Sequence, residues 1–268
     1  MSVDVKNLSF SYGDEDVLKE VSFTANPGQF LSILGPNGVG KSTLFKCILG
    51  LLRNYRGEVV IDGTDAKTLS VSETAKRIAY IPQSGYPVFN YSVHDIVLMG
   101  ATSRLSFFET PKKQDSERAD AAMQKIGIAH LRDRCFHHLS GGERQLVMIA
   151  RALTQQARVL MLDEPTSSLD FGNQVMVLAQ ARELAGEGYT VIATTHNPEQ
   201  SYMFSDRILA LKGGRILTDG SPREVLDEAL IKELYRVEAT VSSLFEDRVR
   251  ACTPNIILDN RRPEDVNQ

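Results

Sequence analysis

Phe30-Leu31-Ser32-Ile33-Leu34 followed by Gly35-Pro36-Asn37-Gly38-Val39-Gly40-Lys41-Ser42-Thr43 runs from a buried-strand pattern into a glycine-rich turn. Residues 44–52 continue with apolar side chains at helical spacing, so the order is strand, loop, helix. Gly35, Gly40, Lys41 and Ser42 fill the G-x-x-x-x-G-K-[ST] spacing in that context, the pattern of a phosphate-cradling loop. The glycines let backbone amides turn inward around phosphate oxygens, and the helix starting near Lys41 aims the positive end of its dipole at the same charge. Lys41 is expected to reach the outer phosphates and the Ser42 hydroxyl to ligate magnesium, with Asn37, Gly38 and Thr43 completing the cradle. Alone, this loop implies only a bound nucleoside triphosphate.

A second run, Val159-Leu160-Met161-Leu162-Asp163-Glu164, is an apolar strand ending in two carboxylates. At the carboxyl edge of a parallel sheet, Asp163 would support magnesium through its water shell. Glu164, one residue on, would polarise the water that attacks the terminal phosphate. Lys41 and Glu164 are therefore catalytic candidates.

Between and around these runs the periodicity changes. Residues 3–11 and 21–25 alternate as an antiparallel hairpin about a Gly13-Asp14-Glu15-Asp16 turn, and 58–62, 77–81, 159–162, 190–194 and 207–211 read as further strands. From 92 to 155 the spacing is helical, interrupted by a loop at 103–115, and 171–185 is a helix between two strands. Alternation of strand and helix predicts a largely parallel sheet. A helix over 224–235 and a small hairpin at 239–244 and 248–252 follow, and 260–268 is polar.

The chain has 268 residues, 42% hydrophobic and 24% charged, enough apolar side chains for one sizeable core with a subdomain attached. A formal net charge of -4 argues against a nucleic-acid surface. No apolar run approaches the roughly 20 residues of a membrane helix, and the start carries no secretory pattern, so the expected location is cytoplasmic. Cys47, Cys135 and Cys252 are too few and too scattered for a disulfide framework or a metal knuckle.

Leu139-Ser140-Gly141-Gly142-Glu143, with Arg144 and Gln145, supplies a second anion-binding helix terminus, far from the first in sequence. Here the chain resembles the nucleotide-binding subunits of ABC transporters. The resemblance runs from Val3 to about Pro222. It implies an α/β fold, a P-loop NTPase with a RecA-like core, an antiparallel β subdomain and an inserted α-helical subdomain. The ATPase domain would occupy 1–222, its helical insertion about 86–155, and a short extension 223–268.

The resemblance also implies ATP and Mg2+, and a head-to-tail dimer in which Ser140, Gly141 and Gly142 complete the site of a second copy. Tyr12 resembles the aromatic that stacks on adenine, and Gln83 the glutamine that joins the magnesium shell and senses the membrane partner. Ser168-Leu169-Asp170 is similar to the loop crossing the dimer interface, which places Asp170 there, and His196 to the switch histidine at the terminal phosphate. Val39 and Asn197-Pro198 depart from the family pattern without removing a reacting group. Integral membrane permease subunits, and indirectly a substrate-binding protein, are the implied partners, and the chain would lie on the inner face of the membrane through the permease. Gly85 to Met99, with Tyr86, Phe89 and Tyr91, is the candidate docking segment.

Asp95-Ile96-Val97-Leu98-Met99-Gly100, the loop from Phe107 to Lys113 and the short tail look like importers of metal chelates: iron-siderophores, haem, cobalamin or, in a close branch, molybdate or tungstate. The competing class is a soluble ABC ATPase such as an iron-sulfur assembly component. A repair ATPase would carry a long heptad coil between the two halves of its site, and none is present.

Overall fold

The computed structural model describes residues 1–83, 90–106 and 108–255. Its elements are β1 (Val3–Tyr12), β2 (Glu15–Ala25), β3 (Phe30–Leu34), α1 (Lys41–Ile48), β4 (Arg56–Ile61), β5 (Thr64–Asp65), α2 (Val71–Arg77) and β6 (Ile78–Ile81). There follow α3 (Val93–Leu98), α4 (Lys113–Lys125), α5 (Gly141–Thr154), β7 (Val159–Asp163), α6 (Phe171–Gly186), β8 (Thr190–Thr195) and α7 (Pro198–Phe204). The last are β9 (Arg207–Lys212), β10 (Arg215–Gly220), α8 (Pro222–Val225), α9 (Glu228–Tyr235), β11 (Ala239–Leu244) and β12 (Val249–Pro254).

The central sheet has the order β10-β9-β3-β8-β7-β6, parallel except for β10 at one edge. Every residue of β3, β7 and β8 is buried, as expected of parallel strands covered on both faces. Parallel strands share one carboxyl edge, so the chain leaves β3 at Gly35, β6 towards Gln83, β7 at Glu164 and β8 at His196 on the same side. That edge is where open α/β sheets place ligands.

A second, antiparallel sheet, β2-β1-β4-β5, lies over one face. Val3, Leu8, Leu18 and Val59 from it share an apolar cluster with Phe45 of α1 and with Ile33, Met161 and Ile192 of the central sheet. α1, which carries Lys41, is thereby held between two sheets. On the opposite face Phe30, Leu160 and Ala193 pack with Ile96, Met123, Val147 and Val177 from α3 to α6. A smaller cluster joins Leu34 and Ala210 to Leu226, Leu230 and Leu234 near the end of the chain.

Three local expectations change. The helix expected over 224–235 is two helices, because Leu226 is extended and the Asp227 side chain caps α9 by accepting from the Leu230 N–H at 2.7 Å. Arg77 ends α2 rather than opening β6; α2 is started by a Ser70–Glu73 capping box that periodicity alone does not register over so short a helix. The strands β1 and β2 extend further towards each other, leaving only Gly13 and Asp14 between them.

Candidate active site

The phosphate loop leaves β3 with the Gly35 N–H donating to the Thr195 carbonyl at 3.1 Å. A Cβ at Gly35 would lie 2.4 Å from the Leu211 carbonyl oxygen, so only glycine lets the loop pass here. Gly40 caps α1 at φ 105° with no side-chain cap, and no acidic residue stands in the first turn of α1. The N–H groups at that helix start are thus left for an anion. A cavity of about 280 Å³ opens in front of them, lined by Asn37, Gly38, Lys41, Ser42, Gln83 and Glu164 among others.

Lys41 is buried, and its ammonium donates to the carbonyls of Gly35 at 2.6 Å and Pro36 at 3.1 Å. Its third neighbour is Glu164 Oε1, at 3.1 Å. The other Glu164 oxygen, Oε2, lies 3.2 Å from His196 Nδ1 and 3.5 Å from Gln83 Nε2. Because a carboxylate only accepts, the Glu164–His196 contact requires the proton on Nδ1. Glu164 itself sits at φ 46°, a left-handed conformation costing about 1–2 kcal/mol for a residue with a Cβ.

What fixes that conformation is Thr194. Its buried hydroxyl accepts from the Glu164 N–H at 2.9 Å and donates to Asp163 Oδ1 at 2.6 Å, so one group sets both carboxylates. Asp163 Oδ1 also lies 3.4 Å from the Ser42 hydroxyl, and Oδ2 accepts from the Tyr80 phenol at 3.2 Å. Burial, together with the Asp163 charge and its hydrogen bond, pushes the Tyr80 pKa well above the usual phenol range, so Tyr80 remains a donor.

The sequence profile of the ABC transporter family matches residues 18–167. This chain belongs to the ABC transporter family, as an ATP-binding subunit. Two curated relatives are similar over most of their length. The hemin import ATP-binding protein HmuV of Hahella chejuensis is 38% identical over 235 residues, 85% of this chain and 90% of its own. The ferric enterobactin transport ATP-binding protein FepC of Escherichia coli is 33% identical over 264 residues, 98% and 96%. Among solved structures, a chain of an inward-facing ABC transporter described as of metal-chelate type has a TM-score of 0.83 at 33% identity, covering 95% of this chain and 97% of its own. The cassette is accordingly an ATPase that serves transport.

The remaining expected residues of the cassette lie elsewhere. Ser140, Gly141, Gly142 and Asp170 are not among the residues lining the cavity. Ser140 caps α5 in a box with Glu143, whose carboxyl is held below the usual range first by the Ser140 backbone N–H and then by its hydroxyl. A Cβ at Gly142 would lie 2.1 Å from Asn173 Oδ1, and one at Gly141 2.9 Å from Leu169. Asp170 in turn caps α6 through the Asn173 N–H at 2.9 Å. The signature and the Asp170 loop therefore form one packed unit within this chain.

Tyr12 is half exposed, its ring edge-on to Phe10 at 4.8 Å, and it too lies outside the cavity lining. Asn197 caps α7 by accepting from the Gln200 N–H at 3.0 Å, with Pro198 in the first turn, which accounts for the departure after His196. Of the expected docking aromatics, Tyr86 and Phe89 fall outside the described residues. Tyr91 is half-buried and packs against the helical cluster. Val17, Tyr80 and Thr194 were missed as contributors to the site. Thr194 lies in the buried strand β8 two positions before His196, but Thr190 and Thr195 stand in the same strand, so residue type alone does not single it out.

No helix among the described residues is long and apolar enough to cross a membrane.

Proposed function

We propose that this cassette energises import of a metal chelate of the hemin or ferric-siderophore class through separate membrane subunits. It closes on ATP with a second copy of itself, head to tail, and hydrolysis reopens the pair. It works at the cytoplasmic face, held there by integral permease subunits that receive cargo from a substrate-binding protein. The relatives named for hemin and ferric enterobactin, and the neighbour of metal-chelate type, support the cargo class.

In this reading Gly38, Gly40 and the start of α1 cradle the phosphates and Lys41 neutralises the outermost one. Tyr12 stacks on the adenine. Glu164 polarises the attacking water, His196 contacts the terminal phosphate, and Gln83 links the site to the permease. Ser140, Gly141, Gly142 and Asp170 act at the cavity of the opposite copy. Residues 1–222 form the ATPase domain, with the helical insertion within it, and 223–268 an extension.

The donor set suits Mg2+. One hydroxyl, Ser42, and one carboxylate, Asp163, stand together, and among the described residues no cluster of three His, Cys, Asp or Glu forms an all-protein cage. Magnesium is commonly bound in this way, with phosphate oxygens and waters completing its shell. Bound there, it would neutralise charge developing on the phosphates.

The observation that carries the proposal is the convergence of Lys41, His196 and Gln83 on one carboxylate, Glu164, at the mouth of the cradle. To test the shared site, a Lys41→Ala chain is mixed with a Ser140→Ala chain. Each alone should be nearly inactive and the mixture should regain turnover at one composite site. Full activity of either chain alone refutes the shared site. Accumulation of labelled hemin or ferric siderophore should fall in cells lacking the cassette, and unchanged uptake of every metal chelate refutes the cargo class.

A further inference from the structure

The segment from His196 through α7 is tied at three points to the end of the chain. At its start, the Tyr235 phenol, on the last residue of α9, donates to the His196 carbonyl at 2.8 Å. In the first turn of α7, Glu199 Oε1 accepts from the Cys252 N–H of β12 at 2.9 Å. Further along, the Tyr202 phenol donates to the Asp247 carbonyl in the β11–β12 turn at 2.8 Å. α9 and the hairpin thus grip the element that follows β8 along its length.

The grip is built at a cost. Phe245, Glu246 and Asp247 stand in succession at φ 51°, 58° and 60°, the left-handed region that disfavours a residue with a Cβ. Arg250 holds that turn with two hydrogen bonds to the Asp247 carboxylate, at 2.9 and 3.2 Å, while its guanidinium lies 5.0 Å from the centre of the Tyr202 ring. Arg223 adds a bond to the Asp247 carbonyl at 3.3 Å. At the other end, Leu230 and Leu234 of α9 share a core with Leu34, the last residue before the phosphate loop. Tyr235 and Arg236 also line a cavity of about 410 Å³ together with Pro36 and Asn37 of that loop.

His196 needs such support. Its side chain is 47% exposed and it lies just past Thr195, the last residue of β8 in register with β3, so the sheet ladder does not fix its carbonyl. Burial, with smaller effects from Cys252 and Glu164, pushes the Tyr235 phenol well above its ordinary range, which keeps it a neutral donor.

We infer that Tyr235 is a positioning residue for ATP hydrolysis, holding His196 within reach of Glu164, and that α9 with the β11–β12 hairpin is the brace behind it. The inference rests on the proposed role of His196. Losing one hydrogen bond of about 1 kcal/mol corresponds to roughly a fivefold effect.

The test uses the purified full chain. Tyr235→Phe keeps the ring and removes one hydroxyl. Turnover should fall about fivefold with KM for ATP within about twofold, the split expected when only the reacting geometry is disturbed. In a His196→Ala background the same change should leave the residual rate unaltered, because the two act in series. In the proton spectrum, the His196 ring signal, assigned by its loss in His196→Ala, should move in Tyr235→Phe while those of the other four histidines stay. Parental turnover, an unmoved His196 signal, or effects that multiply in the double variant would each overturn the brace. Parental turnover in His196→Ala would instead overturn the reading of His196, and the catalytic role of the brace with it.

Discussion

Thr194→Val is the substitution that most directly weighs how the two carboxylates are held. Valine matches threonine in shape, so the change removes a hydroxyl and little else. Two interactions go: the bond to the charged Asp163 oxygen, about 1.5–3 kcal/mol, and the acceptor for the Glu164 N–H, whose orphaning costs about 1–3 kcal/mol. Against roughly 4 kcal/mol of loss stands about 1 kcal/mol gained from the buried methyl. The net, about 3 kcal/mol, corresponds to a fall in thermal midpoint of about 6–12 °C for a chain of this size. Calorimetry of parent and variant measures it directly. Turnover should fall further than stability suggests, because Glu164 loses the tie that holds its left-handed backbone. Thr194→Ser, which keeps the hydroxyl, should retain most of the turnover. A Thr194→Val chain with an unchanged midpoint and parental turnover refutes this account of the site.

The Glu143 carboxyl is held below its ordinary value of 4.5 in the folded chain. A lowered folded pKa means that its contribution to stability is full above that value and is lost as pH falls through the folded pKa. The midpoint difference between parent and Glu143→Gln should therefore be present at pH 7 and vanish in acid; a difference independent of pH contradicts the capping box. Gly142→Ala drives a Cβ into Asn173 and should destabilise by about 1–3 kcal/mol, the usual cost of overpacking; an unchanged midpoint would mean that α5 and α6 can separate freely. Burial pushes the Cys47 thiol up to about 12, so alkylation at pH 8 should be slow in the native chain and rapid once denaturant unfolds it. Rapid native labelling at Cys47 would show local opening beneath α1.

The strand-loop-helix at 30–52 was legible because it combines short-range periodicity with a spacing whose chemistry is local. Asp163 and Glu164 were legible for the same reason, as charges ending a wholly apolar run. Thr194, Tyr80 and Tyr235 were not, since each acts across strand neighbours or chain ends that only the topology brings together: Tyr80 reaches Asp163 because β6 lies beside β7, and Tyr235 reaches His196 across 39 residues. The break between α8 and α9 escaped periodicity because Val225, Leu226 and Leu230 keep apolar spacing through it. Only the cap at Asp227 marks it.

Lys41 carries the last consequence. An ammonium has three donors, and its near oxygens in this structure are the Gly35 and Pro36 carbonyls and Glu164 Oε1. An incoming phosphate must displace one of them. The carbonyls belong to the loop that shapes the cradle, so the partner given up is Glu164, whose carboxylate is then left to His196 and Gln83. Nucleotide binding thus opposes a charge-assisted bond of about 1.5–3 kcal/mol in the free chain. In Glu164→Gln the competing acceptor is neutral and weaker, so ATP should bind severalfold to about tenfold more tightly, while turnover is lost with the carboxylate. Titration of a fluorescent ATP analogue onto parent and variant reads the affinity. Equal or weaker binding by Glu164→Gln would mean that Lys41 is not released from Glu164 when phosphate arrives.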